Sequence, residues 1–595
     1  MATIEKALGN SQRALKLFKR STNISQNNSD ILQNYSGLLE KQDLKNAILL
    51  SDKAVHISPE NSKYLERNGY LKWQADDLGN ALEATLKAIS LNPSLVTAHM
   101  NLGGIYKDLG NLDQALASTL KSLELKPDNP DALINLGGIY KNLGNLDQAL
   151  ASTLKSLELK PDNPDALMNL GGIYKDLERI EDAKTAVNHA LRATKKDTNI
   201  VTIILDFYDS INEEELLEEA IICLKSALPS KSTRITMYEA RTQFRQKKYE
   251  DSWAKLPRLN LASKDLKDWF CMSKYHAFRA QIAEKNNQYD DAYYSFEASQ
   301  IDPLYKSINH KKEHYRVHEY ISLSENMSKD RASIDFINQT QSDSHPVFLI
   351  GFPRSGTTLL DTILRSHRAV EVIEEKDPLH LTEILGINNL QRQISNFNSL
   401  KENDLNAMRK TYNSRLKFHS KDAGKLIIDK LPLHTIAIPL INLLFPNARV
   451  IFALRHPCDS ILSCFQQVFK PNTAMANFTT LDRSVDFYDK VMNGWITYNE
   501  NLNVDHTISK YEDLLDNFDE SVLKVLKHLN LPWDDGVREY RNTAMNRKFI
   551  KTPSASQVVQ PLYKSSVGRW KNYQKHFAKH MEKLNPWIDY FGYER

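Results

Sequence analysis

The sequence has few cysteines and no excess of charge of one sign. Its 595 residues contain only 4 cysteines, without a short regular spacing, so neither a disulfide framework nor a zinc site is expected. The 77 lysines and arginines nearly balance the 74 aspartates and glutamates, which leaves a net charge of +3 at pH 7. This balance argues against a general nucleic-acid-binding or membrane-surface protein, so basic residues are expected to matter only locally.

The sequence also lacks long apolar runs. The longest largely apolar stretch, Ile436 to Phe445, is far too short to span a bilayer and contains Pro439. The first residues, from Met1 onward, form a polar amphipathic pattern without the apolar core that is typical of a signal peptide. We therefore expect a cytoplasmic location and no membrane span.

The first half of the chain is organised by a repeat with an interval of 34 residues. Alanine recurs at this interval at Ala47, Ala81, Ala115, Ala149 and Ala183. Proline keeps the same interval at Pro59, Pro93, Pro127 and Pro161. The pattern resembles that of tetratricopeptide repeats, whose units are pairs of helices that press together at small residues. A proline then marks the end of the second helix of each unit.

Two of the repeat units are nearly identical. Residues 102–133 and 136–167 differ at one position only, which indicates a duplicated unit. Stacked repeats tolerate duplication because each unit touches only its neighbours. We expect an all-α tetratricopeptide solenoid over residues 1–305, followed by a charged helical connector over residues 306–342.

A row of asparagines suggests a role for the solenoid. Asn101, Asn135 and Asn169 lie one repeat apart, on the first helix of each unit. The row resembles the asparagine ladder of the O-linked N-acetylglucosamine transferases, in which side-chain amides hold an extended peptide. That resemblance implies a protein or peptide partner in the solenoid groove. Asparagine at this position also occurs where helix packing is the only demand, so both interpretations stay open.

A glycine loop in the second half predicts a phosphate site. Residues 347–350 indicate a buried strand, Gly351 to Gly356 a loop, and a helix starts near Thr357. Backbone N–H groups at such a helix N-terminus hold a phosphate. A nucleotide hydrolase or kinase loop needs a lysine where Thr357 stands. Arg354 is the only cation in the loop, which weakens the alternative of a P-loop kinase.

The loop and four later motifs resemble the sulfotransferases, which use 3′-phosphoadenosine 5′-phosphosulfate as donor. The run from Pro353 to Leu359 resembles their 5′-phosphosulfate loop. The later matches are, in order, a strand ending in Asp429 and Lys430, Arg455 with Ser463, Tyr511, and Pro553-Ser554 with Gly568-Arg569-Trp570. The resemblance covers residues 343–595 and implies an α/β P-loop-like sulfotransferase domain with a short parallel sheet.

The spacing is closest to the tyrosylprotein sulfotransferases, and the resemblance implies catalytic roles. Glu375 falls at the position of the base that takes the proton of the acceptor hydroxyl, with Glu374 beside it as the alternative. Lys430 and Ser554 fall where charge on the leaving phosphate oxygen is stabilised, which requires a cation but no metal. Arg354, together with the loop N–H groups, would take part in the reaction by binding the 5′-phosphosulfate.

The resemblance also implies a set of donor-binding residues. The 5′-phosphosulfate would be held by Arg354, Ser355, Gly356, Thr357 and Thr358. The 3′-phosphate would be held by Arg455, Ser463 and Tyr511, and Arg569 stands where the tyrosine-modifying enzymes have a lysine.

The sequence therefore predicts a sulfotransferase that moves a sulfuryl group to a hydroxyl acceptor recruited by the solenoid. Protein tyrosine, a glycan hydroxyl and a small metabolite all stay open as acceptors, because the residues after Glu375 depart from the tyrosine-modifying pattern. The alternative is a repeat scaffold whose nucleotide-binding domain has no turnover.

Overall fold

The chain divides into two compact units, Met1–Ala227 and Leu228–Arg595. The computed structural model describes residues 11–24, 28–40, 42–177, 179–194, 198–211, 213–227, 233–256, 269–301, 313–329, 346–376, 378–379, 402–420, 422, 424–469, 472–546 and 564–595.

The first unit is all-α, as the repeat predicts. Its helices are α1 Ser11–Ile24, α2 Ser29–Leu39, α3 Leu44–Ile57, α4 Ser62–Gln74, α5 Leu78–Leu91, α6 Val96–Asp108, α7 Leu112–Leu125, α8 Pro130–Asn142, α9 Leu146–Leu159, α10 Pro164–Asp176, α11 Ile180–Ala193, α12 Thr198–Ser210 and α13 Glu214–Ala227. Successive helices pack in pairs, from α2 with α3 to α12 with α13. The alanines that recur every 34 residues are all fully buried, which confirms a solenoid of helical hairpins.

The helix boundaries follow from side-chain caps. Asn61, Asn129 and Asn163 each accept hydrogen bonds from backbone N–H groups in the first turn of the helix that follows. Pro130 and Pro164 occupy the first helical position, where a proline is tolerated because the missing N–H would have no partner there.

Two of the three asparagines in the row make hydrogen bonds to other helices of the solenoid. Asn101 is buried, and its amide donates to the carboxylate of Glu66 at 2.6 Å. The amide of Asn169 donates to the Ile134 carbonyl at 3.3 Å and to a threonine hydroxyl at 3.2 Å. Asn135 is half-buried. Peptide binding by this row stays a prediction, and two of its amides already have partners inside the solenoid.

The second unit contains further helices and the sheet. Its helices are α14 Thr233–Arg245, α15 Tyr249–Lys255, α16 Trp269–Lys285, α17 Tyr289–Ser299, α18 Arg316–Lys329, α19 Thr357–Arg365, α20 Glu402–His419, α21 Ile438–Leu444, α22 Pro457–Phe465, α23 Leu481–Leu502, α24 Tyr511–Asp516, α25 Phe518–His528, α26 Tyr540–Asn546, α27 Gln574–Phe577 and α28 Met581–Tyr590. Short 3₁₀ turns cover Lys564–Ser566 and Arg569–Tyr573.

The sheet is short and parallel, which confirms the predicted α/β domain. Its strands are β1 Val347–Gly351, β2 Val370–Glu374, β3 Leu426–Lys430, β4 Arg449–Leu454 and β5 His506–Lys510, in the order β2-β3-β1-β4-β5. All four neighbouring pairs run parallel. In β1, Val347 and Leu349 pack with α19 and α25 on one face, and Phe348 and Ile350 pack with α21, α22 and α23 on the other. Burial on both faces explains the continuous apolar run of this strand.

Helices α16 and α17 form a hairpin that shares the core of the second unit. Ala280, Ala283, Ala292 and Phe296 belong to the same buried cluster as the sheet residues Phe348 and Ile350. The sequence-based domain boundary at residue 305 stays a prediction, and this hairpin lies on its solenoid side. The predicted connector is described only over residues 313–329.

No helix among the residues that the structure describes is both long and apolar enough to cross a membrane.

Candidate active site

Most of the predicted site residues that the structure describes lie at the carboxyl-terminal edge of the sheet. Because all the strands are parallel, their carboxyl ends lie on the same side, where ligands bind in open α/β sheets. The chain leaves β1 towards β2 and leaves β4 towards β5, in opposite directions from two adjacent strands. The crevice between such strands is the usual ligand site. The glycine loop follows β1, and Arg455 follows β4.

The loop from Gly351 to Gly356 connects β1 to the N-terminus of α19. Gly356 has a φ of 93°, and a Cβ added there would lie 2.7 Å from the ring of Tyr511, so a side chain does not fit. Arg354 also adopts a left-handed backbone, with a φ of 68°. This conformation is uncommon for a residue with a side chain, so the surrounding contacts must hold the loop in shape.

Arg354 connects the loop to the residues after β4. Its Nε donates to the Ser463 hydroxyl on α22 at 3.0 Å. Its backbone carbonyl accepts a hydrogen bond from the Arg455 guanidinium at 3.3 Å. The structure thus brings together three residues that the sequence assigned to opposite ends of the nucleotide.

Arg455 and Tyr511 form the second half of this cluster. The Arg455 guanidinium lies over the Tyr511 ring, 5.1 Å from its centroid, and donates to the Ser566 carbonyl at 2.5 Å. The Tyr511 hydroxyl lies 2.8 Å from the Ser566 hydroxyl. Ser566 was missed by the sequence reasoning, although it lies just before the Gly568-Arg569-Trp570 motif, which was the available signal.

Two buried polar atoms in this cluster suit an anionic ligand. Ser355 Oγ and Arg455 Nε are buried and have no hydrogen-bond partner among the described residues. Buried polar groups are almost always hydrogen-bonded, so a hydroxyl and a guanidinium N–H without partners beside a helix N-terminus fit phosphate oxygens. Thr357 and Thr358 are buried in the first turn of α19, where backbone N–H groups are available to such a ligand.

Lys430 and Glu375 form an ion pair beside the loop. The Lys430 side chain is fully buried, and its Nζ lies 2.7 Å from Glu375 Oε1 and 3.4 Å from Glu374 Oε1. The backbone N–H of Glu375 donates to the Lys430 carbonyl at 2.9 Å, and Glu375 has a φ of 50°. In the sheet, Lys430 pairs with Leu349 of β1, two residues before the loop.

The charge of Lys430 is maintained by the acids around it. Burial by itself lowers the pKa of the Lys430 ammonium. The carboxylates of Glu375 and Glu374, with a smaller effect from Asp361, outweigh burial and raise the pKa above its usual value. The two adjacent glutamates differ in access, because the Glu375 side chain is 35% exposed and that of Glu374 is 9% exposed.

The segment of residues 564–573, called here the closing segment, is attached to α22. Asp459 on that helix accepts backbone hydrogen bonds from Gly568 at 2.7 Å and from Trp570 at 2.9 Å. The Arg569 guanidinium donates to Glu284 of α16 and to Gln466. The sequence did not indicate a role for Glu284, because the helical pattern around it gives no sign of a contact with a residue as distant in sequence as Arg569. Ser554 lies outside the described residues.

Two regions of the chain match known families. Residues 346–535 match the model of the sulfotransferase family. Residues 103–144, and then 130–163 and 164–197, match models of the tetratricopeptide repeat. The chain therefore combines tetratricopeptide repeats with a sulfotransferase-family domain, as the sequence motifs predict.

Individual relatives are distant. An uncharacterised protein of Aquifex aeolicus is 30% identical over 251 residues, covering 40% of this chain and 32% of that protein. A protein-tyrosine sulfotransferase of Drosophila melanogaster is 26% identical over 272 residues, covering 42% of this chain and 51% of that enzyme. The chain thus spans about a third to a half of the length of these curated relatives.

Similar solved structures include repeat proteins. A tetratricopeptide repeat protein from Parabacteroides merdae is 19% identical, covers 39% of this chain and 91% of that chain, and has a TM-score of 0.31. The Cut9–Hcn1 assembly of the APC/C is 17% identical, covers 44% of this chain and 51% of that chain, and has a TM-score of 0.35.

Proposed function

We propose that the protein transfers a sulfuryl group from 3′-phosphoadenosine 5′-phosphosulfate to a hydroxyl acceptor. One observation carries the proposal: the Lys430–Glu375 ion pair lies at the same sheet edge as the loop that holds Arg354. A base and a buried cation beside an anion-binding loop are what this transfer requires, because a proton leaves the acceptor and negative charge develops on the leaving phosphate.

The donor would be held by two groups of residues. Arg354, Ser355 and the N–H groups from Gly356 to Thr358 would bind the 5′-phosphosulfate. Arg455, Ser463 and Tyr511 would bind the 3′-phosphate, with Arg569 in the segment that closes beside them. The buried Ser355 hydroxyl and Arg455 Nε without partners among the described residues support this assignment. The donor supplies a sulfuryl group on a phosphate leaving group, so no metal is needed.

In the proposed reaction, the acceptor oxygen attacks sulfur in line with the leaving phosphate oxygen. A bond forms between the acceptor oxygen and sulfur, the bond between sulfur and the phosphate oxygen breaks, and the hydroxyl proton passes to Glu375. Lys430 stabilises the phosphate product, with Ser554 as a second hydrogen-bond donor. Glu375 suits the role of base better than Glu374 because its side chain is more exposed to an incoming acceptor.

We assign acceptor recruitment to the tetratricopeptide repeats, which commonly bind proteins and peptides in an extended groove. A protein acceptor, including a tyrosine hydroxyl, is therefore favoured over a small metabolite. The few cysteines, without the spacing of a disulfide framework, favour a reducing, cytoplasmic setting for the reaction.

Ligand-dependent stabilisation of the full chain tests the donor assignment. A ligand stabilises only a fold that binds it, by about 2.7 kcal/mol in free energy of unfolding at 100 times its Kd, and this gain raises the melting temperature. We expect 3′,5′-adenosine bisphosphate to raise the melting temperature and ATP with magnesium to leave it nearly unchanged. The opposite order would reject a sulfotransferase in favour of a kinase-type site.

Transfer itself needs a second experiment. Incubation of the full chain with donor carrying labelled sulfur, in a cell lysate, should label protein or glycan. Binding of the bisphosphate without any labelled product would instead support the alternative, a repeat scaffold with a nucleotide-binding domain that has no turnover.

A further inference from the structure

The α16–α17 hairpin contacts the elements that carry the proposed 3′-phosphate site. Gln300, just after α17, donates its amide to the Phe465 carbonyl at 3.3 Å and to the Gln467 carbonyl at 2.9 Å, at the end of α22. Tyr293 of α17 stacks on His576, with ring centroids 3.8 Å apart. The hairpin therefore touches both the helix that bears Ser463 and the region just after the closing segment.

One charged residue of the hairpin, Glu284, contacts the closing segment. Glu284 accepts hydrogen bonds from Arg569 through both carboxylate oxygens, at 2.5 and 2.6 Å, and a third from Arg569 Nε at 3.0 Å. The Tyr573 hydroxyl adds another at 3.1 Å. The Glu284 side chain is 16% exposed, so this pair is mostly shielded from water. Charge-assisted bonds with two donor nitrogens fix direction as well as distance.

The same segment contacts the proposed 3′-phosphate ligands three residues before Arg569. Ser566 accepts a hydrogen bond from Arg455 through its carbonyl, and its hydroxyl meets that of Tyr511. Between these points, Asp459 holds the backbone of Gly568. A displacement at Arg569 would therefore move Ser566 relative to the guanidinium of Arg455.

We propose that Glu284 is a positioning residue for donor recognition: it holds Arg569 and thereby sets the closing segment against Arg455 and Tyr511. The inference rests on the proposed function. In this proposal the α16–α17 hairpin, which resembles a tetratricopeptide unit, helps to position the residues of the proposed nucleotide site. Glu284 does not touch the nucleotide in this proposal, and it acts only through Arg569.

The test compares two nucleotides that differ only at the 3′ position. Calorimetry on the full chain measures the Kd of 3′,5′-adenosine bisphosphate and of 5′-AMP, and their ratio reports the 3′-phosphate alone. Glu284→Gln should lower this preference on the order of tenfold, within the roughly 5- to 150-fold by which coupled positions typically change an affinity. A general loss of stability would change both affinities and leave the ratio intact.

A matched control comes from the same interface. Asp290 of α17 contacts Lys575 and His576, also between the hairpin and the C-terminal region, but its contacts do not include Arg569. Asp290→Asn should keep the wild-type preference. Equal loss of preference in Asp290→Asn and Glu284→Gln would overturn the inference, because loosening of the hairpin would then explain both.

Two further variants show whether Glu284 acts through Arg569. Adding Glu284→Gln to Arg569→Gln should cause no further loss, since the two changes remove one interaction. Glu284→Asp keeps the charge and should give an intermediate preference, which also serves if Glu284→Gln does not fold. Wild-type preference in Glu284→Gln or Glu284→Asp would overturn this inference and leave the proposed function standing. A wild-type chain without preference for the 3′-phosphorylated nucleotide would overturn the proposed function as well.

Discussion

Two adjacent glutamates at the end of β2 have different surroundings. Glu375 is the closer to Lys430 and the more exposed, whereas Glu374 lies in the strand and is nearly buried. Glu375→Gln keeps the side-chain shape but removes the proposed base. We expect kcat to fall by about 10² to 10⁴, the usual contribution of general-base catalysis. Affinity for 3′,5′-adenosine bisphosphate, measured by calorimetry, should change little.

Glu374→Gln is the matched control for this prediction. It removes the more distant carboxylate from Lys430, so a smaller effect on kcat is expected. A larger fall in kcat for Glu374→Gln than for Glu375→Gln would mean that the base is Glu374.

The raised pKa of Lys430 predicts how its contribution to stability depends on pH. A lysine whose pKa is higher in the folded protein stabilises the fold fully below its unfolded pKa of about 10.4, and this contribution is lost as pH rises through the folded pKa. Lys430→Met should therefore be less stable than wild type at neutral pH. The difference in free energy of unfolding between wild type and Lys430→Met should shrink above about pH 10.4. Urea denaturation at a series of pH values measures this difference.

Comparison with the Met variant is needed because other groups titrate in the same range. Burial raises the pKa of Tyr412 and Tyr488, so wild-type stability falls in alkali for that reason too. These tyrosines are present in both proteins, and their effect cancels in the difference. A difference that stays constant up to strongly alkaline pH would contradict the assigned cause.

At the scale of a helix, two neighbouring glycines of α8 have opposite surroundings. A Cβ added at Gly137 would lie 2.3 Å from the Thr153 hydroxyl, whereas one at Gly138 would have nothing within 4 Å. Gly137→Ala should therefore destabilise the solenoid by about 1–3 kcal/mol through overpacking. Gly138→Ala should stabilise it by up to about 1 kcal/mol, because alanine is the better helix former.

Thermal unfolding of the full chain, followed by far-UV circular dichroism, measures both changes. Each variant is the control for the other, since the substitution is chemically the same at adjacent positions. Equal shifts in melting temperature would show that the threonine behind Gly137 moves aside without cost.

Elements were more predictable from the sequence than the contacts between them. The 34-residue interval predicted the hairpins, and the sequence motifs predicted β1 and the end of β3, because both patterns are local. The left-handed backbone of Arg354 and Glu375 was not predictable, since only surrounding structure holds residues with side chains in that conformation. The Arg569–Glu284 pair joins residues 285 positions apart, and no local pattern records such a contact.

At the scale of the whole molecule, the α16–α17 hairpin determines where the sulfotransferase-family domain can be separated from the repeats. A fragment of residues 228–595 keeps α16 and α17, whereas a fragment of residues 306–595 exposes the apolar surface that they cover and leaves Arg569 without Glu284. We expect the longer fragment to unfold cooperatively and to bind 3′,5′-adenosine bisphosphate. The shorter fragment should melt at a lower temperature and bind it more weakly.

Circular dichroism melting and calorimetric titration of both fragments test this expectation. The full chain is the reference for nucleotide affinity. Equal stability and equal affinity in the two fragments would support the domain boundary at residue 305 that the sequence predicts.

The Arg569–Glu284 pair also restricts how such a protein can evolve by gene fusion. A new repeat array can replace the old one without loss of this pair only if the junction falls before α16, because a junction after α17 separates the acid from its arginine. Positions 284 and 569 should therefore be inherited together. Among descendants with exchanged arrays, we expect either both charges or neither.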